Sequence, residues 1–284
     1  MPHRLGLVKC LFAHVQGLYV SERNRWPDPR PAPESATMTT PTANAERLSE
    51  RRFFTGMALA ILAVVFVGFS RGFYLRMLFP DHPAPAEPFF AVHGIVYSAW
   101  IILLLAQVRL VAHGRLDLHR RIGTFGAALA VVMVVLGTIG ALIAARRPGG
   151  FVGVPLPPLQ FLAIPMFEMV LFPAFVAIGL AKRRDPQAHK RWMMLATLGI
   201  LTAAVARIPI VDRLGPPAFF AGVDLFIVAL AVWDFRTRGR LHPATLWGGL
   251  VLMASQPLRL VVSGTDGWLA FAKWATGLLG PPVP

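Results

Sequence analysis

The chain has one cysteine, Cys10, among 284 residues. A single thiol excludes an intrachain disulfide and a cysteine-ligated cluster. Charge is scarce as well. Asp, Glu, Lys and Arg make up 15% of the residues, where a soluble domain carries roughly a quarter. Acidic residues are the scarcer sign, 14 against 28 Lys and Arg, so the formal net charge is +14. Familiar catalytic signatures are missing too. There is no phosphate-binding loop, HExxH, GxSxG or dinucleotide fingerprint. These absences leave the chain without identified catalytic machinery, and its sequence names no reaction.

What is present is apolar. Hydrophobic residues make up 55% of the chain, and the mean hydropathy is +0.58. Apolar runs of about twenty residues recur, each long enough to cross a hydrocarbon core of roughly 30 Å. The fold class is therefore all-α, a polytopic transmembrane helical bundle. The runs predict seven spans, at 53–75, 89–112, 122–145, 158–181, 192–211, 217–233 and 243–262. Residues 51–264 form this bundle. Residues 265–284 read as a short interfacial segment, with Trp268, Lys273 and Trp274 suited to the membrane surface.

Residues 1–50 differ. "PDPRPAPESATMTTPTANAE" has the composition of a disordered extension. Before it, "LGLVKCLFAHVQGLYV" admits two readings. One is a signal peptide with Arg4 in its basic region, although Lys9 and His14 interrupt the apolar stretch. The other, which we favour, is that translation starts at Met38.

Loop charge sets an expected orientation. The loops after spans two, four and six hold Arg115, Arg120, Arg121, Lys182, Arg183, Arg184, Lys190, Arg191, Arg236, Arg238 and Arg240. The loops after spans one, three and five hold only Arg76, Arg146, Arg147 and Arg213. Cytoplasmic loops carry the excess of Lys and Arg. The N-terminus is thus expected inside and the C-terminus outside. Topology accounts for this charge better than nucleic-acid binding does. The same basic loops suit anionic lipid headgroups as partners.

Ionisable side chains inside spans are costly, and by default they mark functional sites. Arg71 and Arg109 lie near span ends and can snorkel. Five others are candidates for lining a ligand site: His93, Glu168, Arg207, Asp224 and Arg259. At about 1.5 Å per residue, His93, Arg207 and Arg259 lie roughly 5–6 Å from the outer span ends, Asp224 about 10 Å and Glu168 about 15 Å. Tyr97 and Gln160 can join them. One reading is a set of snorkelling arginines and fixed ion pairs. The other is an outward-facing pocket for a small polar or anionic molecule, or a proton path through Glu168. Pro257 and Pro209, beside Arg259 and Arg207, are suited to interrupting their helices.

Three histidines share one depth at the opposite ends of the helices: His119, His189 and His242. Two of them are candidate ligands for a b-type heme, and three for an open zinc site. Against this, Arg120, Arg121, Lys190 and Arg191 adjoin two of the three, and neighbouring cations disfavour a bound metal cation. Asp117 and Asp185 beside them suit helix N-termini. In span three, Gly123, Gly126, Gly137 and Gly140 suit close helix packing.

Together "HGIVYSAW", "GRLDLHRRIG", "DPQAHKRWMMLAT", "FFAGVDLF" and "RGRLHPATLWGG" resemble a group of uncharacterised bacterial multi-pass membrane proteins, over roughly residues 50 to 275. The resemblance implies a multi-pass protein of the bacterial cytoplasmic membrane, and it implies no activity. A looser likeness is to small b-type cytochromes and oxidase-assembly membrane proteins. The chain lacks the paired span histidines of a two-heme cytochrome, so no heme ligand is carried over. The leading expectation is a non-enzymatic membrane protein that binds or moves a small polar or lipid-like ligand. The alternatives are a heme-binding redox protein and an assembly or interaction protein.

Overall fold

The computed structural model describes residues 41–82, 87–147, 149–151 and 156–280. Of the extension read over residues 1–50, the first forty residues lie outside it, and residues 41–50 are helical. The chain divides into a unit Met1–Glu46 and a unit Arg47–Pro284. Of the first unit, only the start of a helix, residues 41–46, is described.

Every regular element among the described residues is a helix. α1 is Pro41–Phe69 and ends in a π turn, Ser70–Tyr74. α2 is Pro88–Ala112 and α3 is Leu116–Arg146. α4 is Pro158–Ala181, with one irregular turn at Leu162. α5 is Pro186–Gly199 and α6 is the short Thr202–Val205. α7 is Pro216–Arg238, α8 is Pro243–Ser263 and α9 is Asp266–Gly277.

The helix starts follow local chemistry. α2, α4, α5, α7 and α8 each have proline in the first turn, where a missing N–H costs no hydrogen bond. Asp185 caps α5 by accepting from the backbone N–H of Gln187 and Ala188, at 3.0 and 3.1 Å. These bonds hold its carboxyl below the usual range. α7 stops at Gly239, whose φ of 67° is the left-handed conformation that glycine accepts most readily.

Six helices are long and apolar enough to cross a membrane: the α1 segment Asn44–Tyr74, α2, α3, α4, α7 and α8. Their outward faces carry exposed Ile102, Phe125, Val170, Leu225 and Val261. An apolar exterior of this extent belongs in lipid. The chain is therefore a multi-pass integral membrane protein. Its core is also apolar, built from Ile61, Met133, Phe172, Leu195, Leu198, Leu230 and Leu252.

The fifth expected span, 192–211, is not among the six. α5 has 14 residues and is about 21 Å long, short of the hydrocarbon thickness. After Gly199 the backbone tightens. Ile200 donates to Thr197 and Leu201 to Leu198, at 3.3 and 3.1 Å, in place of bonds one residue longer. α6 resumes for a single turn and the chain then leaves in turns. Helix α1 packs tightly on this interruption. A β-carbon at Gly68 would lie 2.2 Å from the Ala204 carbonyl oxygen, so only glycine fits there.

Candidate functional site

α4 places Glu168 in the core, and α8 places Arg259 opposite it. Both are buried, at 5% and 1% exposure. Arg259 Nη1 lies 3.5 Å from Glu168 Oε1, an ion contact without hydrogen-bond geometry. Arg259 Nη2 donates to Ser255 Oγ at 3.1 Å, one turn back on α8. The guanidinium carbon lies 5.7 Å from the centre of the Phe220 ring. The Thr202 hydroxyl donates to the Glu168 carboxylate, so the resumed turn after the break supplies one partner. Three polar atoms remain without one: Glu168 Oε1, Arg259 Nε and Arg259 Nη1. Buried polar atoms are nearly always paired, so each of these calls for an explanation.

Tyr97 on α2 lies near Glu168, with His93 one turn away on the same helix. Their rings stack 4.1 Å apart. The Tyr97 hydroxyl donates to the Met133 carbonyl at 2.9 Å and lies 3.5 Å from Met169 Sδ, the residue after Glu168. His93 Nδ1 is buried without a partner. Gly137 makes this approach possible. A β-carbon there would meet Tyr97 Oη at 2.2 Å and Met169 Sδ at 2.3 Å. Gly126 and Gly140 likewise lie close under Leu103 and Phe89, as the small-residue spacing implies.

The other two candidates lie to the side. Asp224 on α7 accepts from Gln256 Nε2 at 2.7 Å, and Gln256 is one turn from Arg259 on α8. Arg207 is exposed. It donates to the Ala203 carbonyl at 2.7 Å and covers Phe69 at 4.9 Å. Its charge acts on Glu168. The two form no ion pair within contact distance.

A cavity of about 90 Å³ lies where α4 begins and α8 ends, lined by Leu156, Gln160, Phe161, Ile164, Leu260 and Ser263, and neither Glu168 nor Arg259 forms part of its wall. Gln160, Ile164 and Glu168 follow at four-residue steps along one face of α4, and Ser263 is one turn beyond Arg259 on α8. Two wall residues therefore share the α4 face of Glu168, one and two turns nearer the start of the helix. Trp268 Nε1 of α9 donates to the Leu159 carbonyl at 2.8 Å and ties α9 to the start of α4.

At the opposite, basic end the three histidines separate. The His119 and His189 rings are 6.2 Å apart and perpendicular. His189 Nδ1 donates to the Gly179 carbonyl at 2.7 Å, and His119 Nδ1 is buried without a partner. His242 serves elsewhere. Its Nδ1 accepts from the Ala244 N–H at 3.0 Å and caps α8. Burial, then the charges of Arg191 and Arg238, hold its imidazole below the usual value. Among the described residues no three His, Cys, Asp or Glu side chains gather as a metal site.

That end also holds a pair which sequence reasoning missed. Arg191 and Asp234 are the most buried charges there, at 1% and 0% exposure. Asp234 accepts from Arg191, from Thr245 Oγ1 at 2.5 Å and from the His242 backbone N–H at 3.1 Å. Arg191 Nη1 also donates to the Gln187 carbonyl and side chain, at 2.9 and 2.7 Å. Beside it Lys190 pairs with Glu50. In the sequence, Arg191 was one of many loop cations, and nothing beside Asp234 in "WDFRTRGR" marks it as buried. Family models, curated protein sequences and solved structures give no match to this chain, so its site is read from its own geometry.

Proposed function

We propose that this membrane protein binds or moves a small polar ligand through a site centred on Glu168 and Arg259. In this reading the interrupted segment 186–206 completes a seventh span. The basic end faces the cytoplasm with the N-terminus, and the C-terminus lies outside. The membrane is the bacterial inner membrane, as the sequence resemblance implies. Anionic lipid headgroups meet the basic loops.

The observation that carries the reading is the incomplete ion pair. Three of its polar atoms lack hydrogen-bond partners, and it is buried in a bundle with an apolar exterior. An interrupted helix beside a polar site at this depth is the arrangement by which transporters coordinate small ligands. Tyr97 lies near the site with His93 one turn away, Asp224 acts through Gln256, and Arg207 adds positive charge from the rim.

The test is a thermal-unfolding screen of the purified protein against small carboxylates, amino acids, sugars and inorganic ions. At least one class should stabilise it, and Glu168→Gln should remove that effect while the protein still folds. If no compound stabilises the wild type and Glu168→Gln only lowers stability, the pair is structural. Reporter fusions at both termini test the orientation. Reporters on the same side would exclude seven spans.

A second reading is a heme-binding redox protein, favoured only by the His119–His189 juxtaposition. The Gly179 carbonyl on His189 Nδ1 leaves the other ring nitrogen free, as in metal-ligating histidines. The purified protein would then show a Soret band that His119→Ala abolishes. A colourless, folded protein removes this reading.

A further inference from the structure

A second cluster with unused lone pairs lies at the basic end, separate from the Glu168–Arg259 site. His119 of α3 and His189 of α5 stand with ring centres 6.2 Å apart. Gln107 of α2 adjoins them. The His119 ring lies against the Gln107 backbone carbonyl. The Gln107 amide nitrogen lies 3.6 Å from where a β-carbon of Gly123, one turn after His119, would stand. His189 Nδ1 donates to the Gly179 carbonyl, so its Nε2 carries a lone pair. His119 Nδ1 and Gln107 Oε1 are both buried without a hydrogen-bond partner. We infer that His119 and His189 hold a single copper(I) ion between their rings, with the Gln107 oxygen as a weak third ligand.

The spacing has room for one ion. A metal bonded to an imidazole nitrogen at about 2.0 Å lies about 3 Å from the ring centre. Two rings on opposite sides of one ion therefore have centres about 6 Å apart, close to the separation observed. Tetrahedral bonding would draw the centres to about 5 Å. A closed zinc site also needs four ligands, and among the described residues no three His, Cys, Asp or Glu gather. Imidazole is a good ligand for copper, and copper(I) accepts two opposed ligands because its filled d shell imposes no higher coordination.

Charge points the same way. The cations that adjoin these histidines in the sequence are accounted for in the fold. Lys190 pairs with Glu50 and Arg191 with Asp234, while Arg120 and Arg121 are exposed to solvent. The ligands are neutral and the surrounding loops are basic, so an ion with a single charge is favoured over a divalent one.

The test uses the full-length protein in detergent under a reductant. Copper(I) is titrated in competition with a coloured copper(I) chelator, and thermal midpoints are followed in parallel. The wild type should take one copper per chain and melt at a higher temperature with it. His119→Ala and His189→Ala should each weaken binding by more than the roughly 10–100-fold that loss of a supporting partner costs. Gln107→Leu should weaken it about tenfold, and it keeps the test open if His189→Ala fails to fold without its Gly179 bond. Silver(I) should replace copper(I), and zinc should not compete. Copper uptake that is equal in wild type and His119→Ala would overturn the inference. Zinc bound as tightly as copper(I) would overturn the choice of ion. A Soret band that His119→Ala abolishes would overturn it in favour of heme between the same rings. None of these results bears on the Glu168–Arg259 site, which has its own screen.

Discussion

Arg191–Asp234 and Glu168–Arg259 are the same chemical pair, an arginine and a carboxylate withdrawn from solvent. At the basic end Asp234 accepts from Arg191, Thr245 and the His242 backbone, and Arg191 also reaches Gln187. In the opposite half Arg259 holds Ser255, Glu168 holds Thr202, and the contact between them stays at 3.5 Å with three atoms unpaired. The first pair joins α5, α7 and the start of α8 into one unit. The second does the same for α4 and α8 only in part, and its spare hydrogen-bonding capacity is what a ligand can use. A buried pair is weak evidence of stability in itself. The number of its partners separates a fastener from a site.

That contrast can be broken most sharply at Asp234. Asp234→Ala leaves Arg191 buried and unpaired and should cost about 3–5 kcal/mol, seen as loss of folded protein or a large drop in thermal midpoint. A small effect would mean that the basic-end pair is not a fastener. Next comes the packing that holds Tyr97 against Met169, the residue after Glu168. Gly137→Ala forces Tyr97 and Met169 apart and should cost about 1–3 kcal/mol. Chemical-shift or fluorescence changes should stay local to α2, α3 and α4.

His242 gives the pH test. Its capping bond needs a neutral Nδ1, and the folded protein holds its imidazole below the unfolded value of 6.5. A depressed value means a contribution present above the unfolded pKa and lost as pH falls through the folded one. The cap is worth about 1 kcal/mol. Thermal midpoints should therefore decline as the pH is lowered from neutrality into the acid range below 6.5. His242→Asn, a cap that does not titrate, should flatten that decline. An unchanged slope would sink the assignment. The smallest effect is expected at the Glu168–Arg259 pair. Glu168→Gln should change stability by no more than about 1 kcal/mol in either direction, because Glu168 makes no hydrogen bond to Arg259 and the amide oxygen can still accept from Thr202. A loss as large as that of Asp234→Ala would make the two pairs alike and remove the distinction.

The helices were readable in the sequence because lipid demands long apolar runs, and the prolines and Asp185 that start them act locally. The break at Gly199–Leu201 was not readable. The apolar run continues through it, and the tightened turn depends on the contacts of Gly68 and Thr202. Glu168 and Arg259 were legible as costly residues in spans, although not as a pair. The same rule flagged Arg207, which lies exposed against Phe69. Three histidines at one depth suggested a ligand set, but their helices turn them to different tasks: His189 to the Gly179 carbonyl, His242 to a cap.

By itself the sequence determined an all-helical membrane chain, its helix starts and the end of the bundle that is basic. These properties follow from hydropathy, local backbone chemistry and charge, which need no neighbours. Only the tertiary structure decided which charges meet. A helix fixes the depth of each side chain, while the packing of one helix against another selects its partner. In this packing Arg191 and Asp234 are saturated, and Glu168 and Arg259 are left with atoms to spare.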